Sequence, residues 1–291
     1  MGLIDSHAHL TYPEFDGRMD EVLARCTEAG VERVITIGTS LSDARRAVAL
    51  SVQYPTRIHA AVGFHPHEAD KVTEADLTAM AELWRHERVV AFGEMGLDFH
   101  YDFADRANQR SVFARQLELA AGRTACEDPL TLPPPPEGER GVTTAPKTRS
   151  TMQDKPLIIH CREALDHAAP MLLDHGFAHR PVVFHCFTGT RAEADRIAEH
   201  GWRLSFTGIV TFPKSDELRQ IAKSYPSDQL MVETDSPYLS PVPVRGRRPN
   251  EPAHVAHVAR FLAELRGVTY PELVEQTARN TRRFFPLLTP R

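Results

Sequence analysis

The sequence predicts an α/β fold in which eight strand–helix units close into a barrel, and three observations carry that expectation. Short runs of Val, Ile, Leu and Phe read as strands that are apolar on both faces, as parallel strands beneath helices are. Segments with helical spacing separate these runs, so strand and helix alternate along the chain. The turn after the first strand holds His7 and His9, where an open nucleotide-binding sheet usually has a Gly-rich loop. Residues 1–291 are read as one domain, because α/β barrels of about 250 residues commonly are.

The first strand ends in Leu3-Ile4-Asp5-Ser6-His7-Ala8-His9-Leu10. Side chains alternate along a strand, so His7 and His9 point to one side, and Asp5 shares it. A helix is expected over 16–29, with Met19, Val22, Leu23 and Cys26 on one face and Gly30 as its stop. The β-branched run 31–38 is the second strand, and 42–53 the second helix. Strands follow at 58–64, 89–94, 156–161, 181–186, 203–207 and 230–234. The helices between them fall at 74–84, 105–121, 164–175, 191–200 and 215–224. Two more are expected at 253–265 and 270–285, the latter with Pro271 in its first turn and Val274, Thr277, Ala278, Thr281, Phe284 and Phe285 as its buried stripe. The rhythm breaks once, at 122–154, where four consecutive prolines and a stretch rich in Thr, Ser, Gly and charge read as a loop inserted before strand 5. The expected fold is therefore a TIM (β/α)8 barrel with an inserted loop before strand 5 and an extra C-terminal helix.

Composition narrows the function. Hydrophobic content of 42% and charged content of 25% are those of a globular domain with ample core. A net charge of −5 gives no general attraction to nucleic acid, so phosphate binding has to be local, through metal ions or clustered arginines. Cys26, Cys126, Cys161 and Cys186 are scattered and lack Cys-x-x-Cys spacing, which points to a reduced, cytoplasmic protein with structural thiols. No run of about 18 apolar residues suggests a membrane span, and no export signal is evident. Gly2 fits a loose myristoylation pattern but leads straight into the strand that carries the histidines, and the pattern is discounted.

In a barrel the active site is built where the strands end at their C-terminal side. His7, His9, Glu94, His160, His185 and Asp235 are each expected at such an end. Four imidazoles and two carboxylates exceed the needs of one tetrahedral ion and suggest two divalent ions sharing a carboxylate. Mixed nitrogen and oxygen ligation suits Zn, Mn, Co or Ni and tolerates Mg, so the metal's identity stays open.

Ile4-Asp5-Ser6-His7-Ala8-His9-Leu10, Gly63-Phe64-His65-Pro66-His67, Gly93-Glu94-Met95-Gly96-Leu97-Asp98, Ile159-His160-Cys161-Arg162-Glu163-Ala164, His185-Cys186-Phe187-Thr188-Gly189 and Glu233-Thr234-Asp235-Ser236-Pro237-Tyr238 together resemble the motif series of the TatD family of metal-dependent deoxyribonucleases. The series runs in order over nearly the whole chain. The Pro-rich insertion departs from the family's pattern, and so does Pro249 within Arg245-Gly246-Arg247-Arg248-Pro249, which otherwise resembles the family's basic C-terminal loop.

The resemblance implies an amidohydrolase-like barrel that hydrolyses phosphodiester bonds, as a 3′ to 5′ exonuclease on single-stranded ends of DNA, with RNA as a further substrate. It implies His7, His9, Glu94 and Asp235 around one ion, and Glu94, His160 and His185 around the second. Asp235 is also placed to act as general base. For substrate, His65, His67, Arg162, Arg245, Arg247 and Arg248 are candidate phosphate contacts, with Glu163 or Asp166 as a competing partner for Arg162. Few aromatic residues stand out as stacking groups, so weak sequence selectivity is expected. The same site could attack a carbonyl, in an amide, an ester or aminoacyl-tRNA. A catalytically idle binding module is the reading from another class, and the complete ligand set argues against it.

Overall fold

A computed structural model describes residues 2–122 and 155–285. Among these, eight parallel strands are hydrogen-bonded in chain order: β1 (Leu3–Ala8), β2 (Val31–Gly38), β3 (Ile58–Val62), β4 (Val89–Asp98), β5 (Leu157–Arg162), β6 (Val182–Phe184), β7 (Arg203–Phe206) and β8 (Leu230–Val232). The ring closes just past β8, where Ala8 bridges Ser236, the Asp235 amide donates to the His7 carbonyl (3.0 Å) and the His9 amide to the Ser236 carbonyl (2.7 Å). The expected TIM barrel is present. The insertion expected at 122–154 lies, from residue 123 onward, outside the described residues.

The helices are α1 (Met19–Glu28), α2 (Leu41–Gln53), α3 (Glu74–Trp84), α4 (Arg106–Ala120), α5 (Leu165–Asp174), α6 (Arg191–Glu199), α7 (Asp216–Ser224), α8 (Val255–Arg266) and α9 (Tyr270–Phe284). Thr73, Thr190 and Thr269 start α3, α6 and α9 with capping boxes, each hydroxyl accepting from the third helical amide while that residue's carboxylate accepts from the cap amide. Gly267, in the left-handed region at φ +68°, ends α8. None of the described helices is long and apolar enough to cross a membrane.

Two apolar cores result. The larger lies between strands and helices; the smaller fills the barrel with Ile35, Ile37, Ala61, Val90, Ala91, Ile158, Val183 and Met231, together with Phe284 and Phe285 at the end of α9. The expected stripe of α9 is buried at Thr277, Ala278, Thr281, Phe284 and Phe285, whereas Leu273 and Asn280 are buried too and Val274 is only partly so. Asn280 earns its place by donating to the carbonyls of Ser227 (2.7 Å) and Leu230 (2.8 Å), which ties α9 to β8.

Strand lengths depart from expectation where the site is built. β4 runs on to Asp98, so Glu94 lies within the strand and not at its end. The register against β5 steps from Phe92↔Leu157 to Met95↔Ile159, one extra residue on β4, and Glu94 sits in that bulge. Gly96 permits the close approach: at φ +143°, a Cβ there would lie 2.0 Å from the His160 carbonyl oxygen. β6 and β8 are shorter than expected, so His185 and Asp235 stand in the segments just beyond them. Beyond β3, His65 caps a 3-10 turn and His67 lies in it.

Candidate metal centre

Buried side chains of α4 fix the strand ends around the site. Gln116 accepts from the Phe64 amide (2.8 Å) and donates to the Phe64 carbonyl (3.1 Å), while Gln109 accepts from the Asp98 amide (2.9 Å). On the closing seam, Asp5 accepts from the Thr234 amide (2.9 Å) and hydroxyl (2.5 Å). Asp5 was expected beside His7 and His9, but its carboxylate holds the seam shut instead of joining the donor cluster. Burial raises its pKa well above the usual carboxylate range, against the pull of those hydrogen bonds.

Within this frame the six expected donors converge. Glu94 is the hub. Its Oε1 lies 2.6 Å from His185 Nε2 and 2.8 Å from His160 Nδ1, and its Oε2 lies 3.4 Å from His7 Nε2 and 3.8 Å from His9 Nε2. Asp235 Oδ1 stands 3.2 Å from His9 Nε2 and 3.6 Å from His7 Nε2. His7 in β1 and His9 just past its end do share a side, with their Nε2 atoms 3.3 Å apart. Three sets, His7/His9/Glu94, His7/His185/Asp235 and Glu94/His160/His185, each bring their donor atoms within 4.8 Å of one another.

The donor set fits divalent cations. Glu94 Oε2 and Asp235 Oδ1 are buried without a hydrogen-bond partner among the described residues, a costly state for carboxylate oxygens that a cation relieves. Burial disfavours ionisation of Glu94, but the charges of His185 and His65 and the hydrogen bonds of His160 and His185 outweigh it and hold its pKa well below the usual range. Asp235 is lowered in the same way, burial being overcome by its contact with His9. His185 moves the other way, well above the usual imidazole value, because the Glu94 charge outweighs burial. Protons on these rings therefore compete with metal, as ligation requires the neutral imidazole.

Asp98, which sequence reasoning quoted only as the end of a motif, is the principal residue it missed. Asp98 Oδ2 accepts from His160 Nε2 (2.9 Å) and His67 Nε2 (3.0 Å), and Oδ1 accepts from the amides of His100 (3.0 Å) and Tyr101 (3.1 Å). Despite burial, these bonds hold its carboxyl far below the usual range. With its proton on Nε2, His160 presents the Nδ1 lone pair to the centre, the arrangement by which a carboxylate orients a metal-binding histidine. Glu233 has a comparable position behind His185: its Oε1 accepts from the Cys186 amide (2.6 Å) and lies 3.7 Å from His185 Nδ1, and its Oε2 accepts from Ser6 Oγ (3.2 Å). The only sequence signal for either was a carboxylate spaced near a candidate ligand.

The six candidate substrate residues divide. The His67 amide donates to His65 Nδ1 (3.1 Å), so neutral His65 carries its proton on Nε2, 3.3 Å from Glu94 Oε1. Burial pushes this ring down to about 4 despite the Glu94 charge, which keeps His65 neutral. His67 is held by Asp98. Neither competing partner of Arg162 engages it: Glu163 binds His100 (2.6 Å), Asp166 binds Arg196 (2.6 Å), and the Arg162 guanidinium lies over the Tyr101 ring at 4.8 Å. Arg162, His65 and His67 line a cavity of about 810 Å³ that reaches Glu94 and Asp235. Arg245, Arg247 and Arg248 are exposed on the loop after β8, with Arg245 over Phe212 (4.3 Å), and do not line it. Contrary to the expectation of few stacking groups, Tyr12, Tyr101, Phe103 and Tyr238 do line this cavity. Burial pushes the Cys161 thiol up to about 12, and Cys186 contacts the Thr207 hydroxyl (3.6 Å).

A closed parallel barrel with a cluster of imidazole and carboxylate donors in and just beyond the C-terminal halves of its strands defines a metal-dependent hydrolase. The chain belongs to the TatD family: the model of the TatD related DNase family matches residues 4–125 and 148–286. It is 35% identical over 283 residues to the uncharacterized metal-dependent hydrolase YabD of Bacillus subtilis, covering 97% of this chain and 98% of that protein. It is 33% identical over 289 residues to the 3′-5′ ssDNA/RNA exonuclease TatD of Erwinia tasmaniensis, covering 98% of this chain and 100% of that one. Among solved structures, YjjV, a TatD homologue of Escherichia coli, superposes with a TM-score of 0.83 at 28% identity, covering 98% of each chain.

Proposed function

We propose that this chain is a divalent-metal-dependent exonuclease that hydrolyses phosphodiester bonds from the 3′ end of single-stranded DNA, with RNA as a further substrate. The observation that carries the reading is Glu94, whose two oxygens face two separate groups of histidines, as a carboxylate shared by two ions does. His7, His9, Glu94 and Asp235 would hold one ion and Glu94, His160 and His185 the other, with Mg, Mn or Zn compatible with the donors. The name of the Erwinia relative supports the polarity and the single-stranded substrate. Scattered thiols, free at Cys26, Cys161 and Cys186 among the described residues, support a cytoplasmic location.

When bound, the ions supply Lewis-acid polarisation of the phosphate and lower the pKa of water. The residues around them do the rest. Asp235, whose Oδ1 faces the His7/His9 ion site, would take the proton of the attacking water as general base through its other carboxylate oxygen. His65 donates from Nε2 to a phosphate oxygen, and Asp98 keeps His160 in its ligating tautomer. Arg162 sits where the next phosphate would pass.

The test is degradation of a 5′-labelled single-stranded oligonucleotide with Mg, Mn or no metal, comparing wild type with Asp235→Asn. Metal-dependent laddering from the 3′ end, lost in the variant, is expected. Hydrolysis of amide or ester substrates with no cleavage of DNA or RNA under any divalent ion would overturn the proposal.

A further inference from the structure

The cavity mouth carries exposed aromatic rings that the sequence alone does not single out. Phe103 is 65% exposed and Tyr101 40%, both on the loop between β4 and α4. Large aromatic side chains this exposed, side by side and rimming a polar cavity, are a mark of a binding surface. Their rings lie 5.2 Å apart at 37°.

The pair is held in place from beneath. Phe103 packs edge-on against His67 (4.7 Å, 61°), and His67 is fixed by Asp98, the carboxylate that also orients His160. Tyr101 is braced by His100 (4.6 Å, 84°) and covered by the Arg162 guanidinium. Arg162 forms no ion pair among the described residues, since Glu163 and Asp166 are engaged by His100 and Arg196. The aromatic rim is thus linked through one carboxylate to a candidate metal ligand, and it carries a cation free to meet an anion.

We propose that Tyr101 and Phe103, with Arg162 beside them, form a stacking seat for the nucleobase next to the scissile phosphate of a single strand. The proposal rests on the exonuclease reading above. Rings that stack bases beside a cation that meets the backbone are the means by which proteins hold single strands without reading sequence. The pairing suits nucleic acid better than an apolar peptide, which would leave Arg162 unmatched. Charge points the same way: in a chain of net charge −5, a local cation beside an aromatic face supplies attraction the surface as a whole lacks. The seat accepts any base, and it discriminates against duplex because the faces of bases inside a duplex are covered by their stacked neighbours.

The test is a cycle on the metal-loaded enzyme with wild type, Phe103→Ala and Phe103→Tyr. Each acts on an unmodified oligonucleotide and on oligonucleotides with an abasic residue at one of the two 3′-terminal positions. At one position, wild type should lose about tenfold in kcat/KM on the abasic substrate, from the usual worth of one stacked base. Phe103→Ala should lose a similar factor on the unmodified substrate and nothing further on the abasic one, while Phe103→Tyr restores the wild-type pattern. Binding is read separately from the quenching of 2-aminopurine in a phosphorothioate-linked oligonucleotide, which Phe103→Ala should abolish. Equal abasic penalties in wild type and Phe103→Ala, no penalty at either position, or no quenching would overturn the seat even if cleavage continues. Quenching by wild type but not by Phe103→Ala, with no cleavage of any oligonucleotide, would keep the seat and overturn the exonuclease reading.

Discussion

Asp98→Asn exchanges one atom and should invert the chemistry of a metal ligand. In wild type, Oδ2 receives protons from His160 Nε2 and His67 Nε2 while Oδ1 caps the amides of His100 and Tyr101. The amide of Asn keeps its oxygen on the two backbone donors, which leaves an NH2 group facing two imidazole nitrogens that were donating. His160 must then accept at Nε2, and its neutral form carries the proton on Nδ1, the atom 2.8 Å from Glu94. Outer carboxylates behind metal-binding histidines are typically worth about 10- to 100-fold in affinity, or roughly 1.4–2.7 kcal/mol. Competition against a chromophoric chelator measures this directly, with thermal melts to show that the fold survives. An affinity in Asp98→Asn within about twofold of wild type would refute the claim that Asp98 sets the His160 tautomer.

Three further outcomes are expected. Phe285→Ala opens a void in the barrel, where Phe284 and Phe285 join the interior cluster, and should destabilise the protein by about 3–5 kcal/mol in denaturant titrations. Burial, with Arg88 and Arg33 nearby, pushes His59 down to about 3, below the ordinary imidazole value near 6.5, so its folded form resists protonation. Above pH 6.5 it costs nothing; as pH falls from 6.5 toward 3 the unfolded chain takes the proton first and stability drops, by about 2 kcal/mol at pH 5. Urea titrations at pH 7.5 and 5 should show that loss reduced in His59→Gln. Deleting residues 126–147, which the family model passes over, should leave metal content and activity at wild-type levels in the same assays.

How far the sequence revealed the site depends on what each residue does. Alternation along β1 was enough to put His7 and His9 on one side, because two-residue periodicity is a property of the strand itself. The barrel rule brought His160, His185 and Asp235 into the cluster even though two of them lie past strands shorter than expected. Glu94 was found in spite of the wrong local picture: it faces the centre from a bulge, and a bulge leaves little trace beyond Gly93 and Gly96. Alternation gave Asp5 a side and not its task, which is to accept from Thr234 on the closing seam. Asp98, Glu233, Gln109 and Gln116 escaped notice because their roles are contacts with residues distant in sequence. The rim of Tyr101 and Phe103 was missed for another reason: whether a loop aromatic is open or buried is decided by tertiary packing.

The central claim is a pair of cations joined by Glu94, and metal content tests it most directly. Wild-type protein reconstituted with Mn or Zn, freed of excess metal and analysed for metal per chain, should carry two ions; Glu94→Gln should lose affinity for both together. One ion in wild type, or two ions held by Glu94→Gln with unchanged affinity, would contradict it.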